Sequence, residues 1–255
     1  MKTQPLNETQ SLSEPKPLVT LILLPGMDGT GELFESFIAA LNPEITTVVI
    51  SYPKTGRLSY EALTVLANAQ IQSAQLPKDA PYIILGESFS GPIAIALAAC
   101  ARDQLKGLIL SCTFASNPRP MLSKFSFLLP AIPISKFWLN ITSQFLMNGF
   151  SSEKAYQMLQ NTLPTVSAIT MRSRLEAVIN VDYSAKLANI KTPILYLRGR
   201  HDYLVPASAS ELIFKLARNV TLVELDSPHL LLQVTPKEAA ASVQAFIEKV
   251  VKHQA

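Results

Sequence analysis

The stretch Tyr82-Ile83-Ile84-Leu85-Gly86-Glu87-Ser88-Phe89-Ser90-Gly91-Pro92-Ile93-Ala94-Ile95 decides how the rest of the chain reads. Tyr82–Leu85 predicts a buried strand, and Phe89–Ala101 predicts a helix. Pro92 does not oppose that helix, because a proline in the first turn removes no hydrogen bond. Gly86-Glu87-Ser88-Phe89-Ser90-Gly91 therefore lies between a strand and a helix. That is the setting of a nucleophile elbow, a strained turn that lifts a serine oxygen above a sheet. Such a turn tolerates only small residues two before and two after the serine. Gly86 and Ser90 fill these places, and Gly91 follows. The strict pattern has glycine where Ser90 stands, and serine is small enough to pass. A second reading stands beside it, in which Ser88 only caps the helix.

Outward from this point, short apolar runs alternate with helical patterns. Strands are predicted at Leu18–Leu24, Thr46–Ile50, Leu108–Ser111, Ile194–Leu197 and Val220–Leu225. Helices are predicted at Glu32–Leu41, Tyr60–Gln75, Ala207–Leu216 and Pro236–Lys252. Strands without polar alternation suggest burial on both faces. Their alternation with helices predicts right-handed crossovers and an α/β fold with a mostly parallel central sheet. In such sheets chemistry sits beyond the carboxyl ends of the strands. Six of the nine glycines (Gly26, Gly29, Gly31, Gly86, Gly91 and Gly199) fall at that edge.

A serine hydroxyl needs a base, and the chain has three histidines. His253 is in the terminal tail and His201 follows the fifth strand. His229 follows the sixth, where it can swing back over the sheet edge to Ser88. The base needs an acid that fixes its tautomer. Asp202, after the fifth strand, gives the chain order Ser88, Asp202, His229. Asp226 is a rival acid better read as a turn residue. Asp202 has its own plainer reading, an exposed carboxylate paired with Arg198 or Arg200. The loop Pro25-Gly26-Met27-Asp28-Gly29-Thr30-Gly31 follows the first strand. Two backbone amides, of Met27 and Phe89, are the candidates for an oxyanion hole. The loop lacks the spacing and the lysine of a phosphate-binding loop.

The composition narrows the class. Hydrophobic residues are 48% and charged residues 16% of 255, which excludes a disordered chain. A net charge of +3 is too balanced for a dedicated nucleic-acid binder. Cys100 and Cys112 are too few for a disulfide framework. Residues 1–17 are polar, carry three prolines and read as a flexible tail without a signal peptide. No stretch reads as a membrane span, and the expected location is cytoplasmic. Residues 114–184 show no clear strand. They read as a helical cap inserted into a core of 18–113 and 185–255, with helices clearest at Ser151–Asn161 and Val166–Val178.

Taken together, the elbow, the loop Pro25–Gly31, Asp202 and His229 resemble the α/β-hydrolase superfamily over about residues 18–253. The Pro25–Gly31 and Gly86–Gly91 pair looks like a subgroup of bacterial hydrolases. It is also similar to the hydrolase-like part of plant phytyl ester synthases, which are acyltransferases. Two positions depart from many relatives, Pro25 where they have His and Pro228 where they have Gly. No sequence is left for the two leading strands of the full fold, so a shortened sheet is expected. The resemblance implies hydrolysis of a carboxylic ester through an acyl-enzyme, with no metal or organic cofactor. Acyl transfer, thioester cleavage on a carrier-linked substrate, and a binder that has lost the chemistry are the alternatives.

The cap bears on the substrate. Residues 125–147 are largely apolar, with one charge, Lys136, and the sole tryptophan, Trp138. Three readings are open: an apolar pocket for the acyl or alcohol group, the cap's own packing, and weak docking to a membrane surface. Arg172 and Arg174 read either as a solvated helix face or as the cations that meet an acidic carrier or a substrate carboxylate. Pimeloyl-carrier methyl esterases of this superfamily use cap arginines in the second way.

Overall fold

The computed structural model describes residues 19–77, 80–101, 103–121, 123, 146–150 and 152–252. The predicted tail, Trp138, most of the apolar run 125–147, and His253 lie outside the described residues.

The strands are β1 (Thr20–Leu24), β2 (Thr46–Val49), β3 (Tyr82–Glu87), β4 (Leu105–Ser111), β5 (Ile194–Gly199) and β6 (Val220–Leu225). They form one six-stranded sheet in the order β2-β1-β3-β4-β5-β6. Every paired neighbour is parallel. The predicted strands are all present, and β3, β4 and β5 are longer than their apolar runs. Gly86, Glu87, Arg198 and Gly199 join their strands through backbone pairing, which side-chain type does not report.

The absence of polar alternation has a direct cause. Leu21 and Leu23 of β1, with Ile83 and Leu85 of β3, pack on one face against α1 (Glu35–Ala40) and α9 (Pro236–Lys252). Ile22, Leu24 and Ile84 pack on the other face. There they meet α2 (Tyr60–Ser73), α3 (Gly91–Ala99), α6 (Ser184–Ala188) and α7 (Ala207–Leu216). The sheet is thus covered on both sides, as parallel sheets are. The edge strands β2 and β6 differ, with several partly or fully exposed positions.

Between β4 and β5 lie α4 (Glu153–Thr162), α5 (Ala168–Asn180) and α6. The two ends of this segment are laced together. Tyr183 donates its amide to Ala115 at 2.8 Å, Asn117 to Val181 at 3.0 Å, and Ser116 bridges Asp182. Helix α4 begins at a Ser152 cap and α5 at a Ser167 cap, each hydroxyl accepting an otherwise orphaned amide. A short helix α8 (Leu231–Val234) follows His229. No helix among the described residues is long and apolar enough to cross a membrane.

Candidate active site

Ser88 sits at the carboxyl end of β3, at φ 47°. A left-handed conformation at a non-glycine residue costs about 1–3 kcal/mol and persists only where the surroundings enforce it. The surroundings are visible. A Cβ at Gly86 would lie 2.6 Å from Ala94 Cβ and 2.8 Å from the Ser90 carbonyl oxygen. A Cβ at Gly91 would run into the Thr113 side chain. The Thr113 hydroxyl in turn donates to the Ser88 carbonyl. The turn is tight because β3, β4 and α3 leave no room for anything larger.

The helix-cap reading of Ser88 fails on geometry. No side-chain hydroxyl caps the 3₁₀ turn Ser88–Ser90 or α3. The Ser88 Oγ instead lies 2.8 Å from His229 Nε2, and His229 Nδ1 lies 2.8 Å from Asp202 Oδ2. Donation from Nδ1–H to the carboxylate leaves Nε2 as the acceptor for the serine proton. Both His229 and Asp202 side chains are 3% exposed. Burial alone would raise the Asp202 carboxyl. His229 and the amides of Val205 and Leu204 outweigh it and hold the group below its usual range. Each of those amides donates to Asp202 Oδ1 at 2.9 Å.

The alternatives to Asp202 are occupied elsewhere. Asp226 is 70% exposed and pairs with His201 at 2.9 Å. Arg198 and Arg200, the expected partners of an exposed Asp202, both pair with Glu224.

Some departures from the usual pattern have local explanations. The Ser90 hydroxyl donates to the Pro25 carbonyl, so Ser90 ties the elbow to the loop after β1. Its single proton is committed there, and Ser90 Oγ accepts from Tyr52 Oη at 2.8 Å. Pro228 is accommodated by Gly199, whose missing side chain lets the backbone of Ser227 and Pro228 close in.

The loop Pro25–Gly31 faces the elbow. Gly29 donates to the Gly26 carbonyl at 3.0 Å, closing a turn that contains Met27. Phe89 is fully buried, stacked on Tyr60 at 4.8 Å between ring centroids, and its carbonyl accepts from the Tyr60 hydroxyl at 3.0 Å. Sequence reading missed these supports, because Tyr52, Tyr60 and Thr113 are ordinary residues far away in the chain.

Three further placements matter. Glu87 is buried beside Ser88, and burial pushes its carboxyl up to about 7. Gln233 donates to it at 2.9 Å and the Gly26 amide also bonds to it, both pulling the other way. Cys112 is buried beside Asp202 and His229. Its sulfur and the ligating atoms of Asp202 and His229 lie within 4.8 Å of one another. Burial pushes the thiol up, and Asp202 and His229 bond to each other. Arg172 and Arg174 lie on α5. Arg174 turns inward, 2% exposed, whereas Arg172 is partly buried.

The chain is 23% identical over 240 residues to pyrrolizixenacetamide deacetylase from Xenorhabdus hominickii, covering 89% of this chain and 90% of that one. It is 28% identical over 246 residues to pimeloyl-[acyl-carrier protein] methyl ester esterase from Serratia marcescens, covering 89% and 93%. A third relative, chloroplastic phytyl ester synthase 1 from Arabidopsis thaliana, is 30% identical over 159 residues, which are 61% of this chain and 22% of that protein. The fold matches a lipase-esterase related protein from Clostridium acetobutylicum with a TM-score of 0.78 at 16% identity, over 91% of this chain and 95% of that one. Residues 61–227 match the family model Hydrolase_4, described as serine aminopeptidase, S33. That span holds Ser88 and Asp202 and ends just short of His229. The chain belongs to this Hydrolase_4 family, within the α/β-hydrolase superfamily.

Proposed function

We propose that the protein is a serine hydrolase that cleaves a carboxylic ester through an acyl-enzyme. The observation that carries this reading is the unbroken hydrogen-bond relay from Ser88 through His229 to Asp202 at the carboxyl edge of the sheet. Ser88 Oγ attacks the acyl carbon while His229 Nε2 takes its proton. Asp202 keeps Nδ1 protonated and stabilises the imidazolium that forms. The amides of Met27 and Phe89 hold the tetrahedral oxyanion. His229 then gives its proton to the leaving alcohol, and a water activated by the same nitrogen releases the acid. This sequence calls on no metal or organic cofactor.

Residues 114–184 form the cap in this reading, over a core of 18–113 and 185–255. The substrate is a small ester with an apolar acyl or alcohol group, free or linked to a carrier. The similarity to a methyl ester esterase and to a deacetylase supports acyl chemistry of this kind. Acyl transfer to an alcohol is the second reading, favoured by the similarity to phytyl ester synthase 1.

The test compares wild type with Ser88→Ala on p-nitrophenyl esters of increasing acyl length. Wild type should show a chain-length optimum, and the variant should lose on the order of 10⁶-fold in kcat. Equal rates in the two proteins would remove Ser88 from the mechanism. Adding a long-chain alcohol separates the two readings: new ester at the expense of free acid marks a transferase.

A further inference from the structure

We infer that Arg174 is a positioning residue: it grips the oxyanion loop from the inserted helices, so the loop's competence depends on where α5 sits. The inference deepens the ester-hydrolase reading and rests on it.

The sequence offers Arg174 as a solvated or substrate-binding cation. Its surroundings fit neither. At 2% exposure it has left water, and burying a guanidinium is costly unless its donors are satisfied. Two of its five N–H donors are met by backbone on the core side. Nη1 donates to the Met27 carbonyl at 2.6 Å and Nη2 to the Pro53 carbonyl at 3.0 Å. The guanidinium carbon lies 5.8 Å from the Tyr52 ring centre and 5.9 Å from that of Phe89, within range of a cation–π attraction. Asp28, itself 2% exposed, supplies a balancing negative charge.

The contact with the loop is intimate. Gly29 has φ +68°, and a Cβ there would lie 2.6 Å from Nη2 and 2.7 Å from Nη1. The turn 26–29 therefore lies directly under the guanidinium. The Gly26 carbonyl and the Met27 amide belong to one peptide plane. The bond from Gly29 to the Gly26 carbonyl sets the direction of that plane. Arg174 fixes the next plane through the Met27 carbonyl. One flat side chain thus restrains the loop amide proposed to meet the oxyanion, and its guanidinium carbon lies 5.9 Å from the ring centre of Phe89, whose amide is the other proposed donor. Two neighbouring bonds fasten the same helix to the core. Ser167 donates its amide to the Lys54 carbonyl at 2.8 Å, and the Thr170 hydroxyl donates to the Gly56 carbonyl at 2.9 Å.

Displacing a catalytic donor by about 1 Å can cost on the order of 10²-fold in rate. The test uses Arg174→Ala and Arg174→Lys in the full chain, with thermal unfolding, kcat and KM on short p-nitrophenyl esters, and the rate of fluorophosphonate labelling of Ser88. Arg174→Ala should stay folded, lose about 10- to 100-fold in kcat and in labelling rate, and keep KM within about 2-fold. Added guanidinium should restore part of its kcat but none in Ser88→Ala. Arg174→Lys, with one compact cation in place of a planar fork, should fall between. If Arg174→Ala does not fold, the lysine variant carries the same kcat and labelling test. Three outcomes overturn the inference while leaving the hydrolase reading intact. They are a raised KM at unchanged kcat, most of all on esters bearing a distal carboxylate; a lowered Tm with unchanged labelling rate; and no response to guanidinium. Failure of folded wild type to label would overturn the hydrolase reading and this inference with it.

Discussion

The elbow and the inserted helices both bond to the loop Pro25–Gly31 and are built on different terms. The elbow is made of strand ends and the loops between them. Its strained serine is fixed by Gly86, Gly91 and Thr113, with no space to relax. Of the inserted helices, α4 packs on loops, and α5 is bonded to them at Lys54, Gly56 and Met27. Leu159 and Leu163 from the α4 region cluster with Leu33 and with Leu230, next to His229. Helix α5 is tied to the loop Pro25–Gly31 through Arg174. The elbow is held by its own close packing, whereas the helices reach it through the loops they touch.

This contrast is open to test on the core side. Asp202→Asn should keep the hydrogen-bonded shape but present the wrong tautomer to His229, lowering kcat by about 10⁴-fold. Asp226→Asn, at an exposed position, should leave kcat close to wild type. A reversed ranking in a kinetic comparison of the two variants would show that the acid follows β6 and not β5.

The next effect concerns Glu87, where the elbow meets the loop Pro25–Gly31. Burial lifts its carboxyl from 4.5 to about 7 in the folded protein. Between those values the folded state keeps a proton that the unfolded state has lost. The stabilising contribution is fully present below about pH 4.5 and is gone once the pH has risen past about 7. Its size is on the order of 3 kcal/mol at most. Denaturant unfolding of wild type should weaken across that window relative to Glu87→Gln, which cannot titrate. Parallel curves for the two proteins would mean that Glu87 is solvated in solution.

The smallest effect probes the packing of the turn itself. Gly91→Ala drives a methyl group into Thr113 and should cost about 1–3 kcal/mol by thermal unfolding. It should also slow Ser88 labelling, because Thr113 holds the Ser88 carbonyl. A loss of stability with an unchanged labelling rate would separate the turn's packing from its chemistry.

How much of this could be read beforehand follows from the range of the forces. The strands were legible because residues buried on two faces must be apolar at consecutive positions, as in β1. The order Ser88, Asp202, His229 was legible because each follows a strand, and parallel strands deliver their carboxyl ends to one edge. The roles of Ser90 and Arg174 were not. Ser90 passed as a tolerated small residue, yet its hydroxyl joins the elbow to Pro25. Arg174 passed as a surface or substrate cation, because nothing local announces that its donors will meet carbonyls 147 and 121 positions away. Helix α8 was missed as well, four residues being too few to show a period.

The chain's own pattern thus determined the layered sheet, the edge where loops gather, and the candidate serine, histidine and carboxylates there. These are set by local periodicity and by small residues at a turn. Only the tertiary structure decided that Ser88 turns to His229 instead of capping a helix, that Asp202 and not Asp226 lies behind that histidine, and that Arg174 is buried. Those outcomes depend on which backbone groups are left without partners once the sheet has closed, and that depends on the assembly of the whole chain.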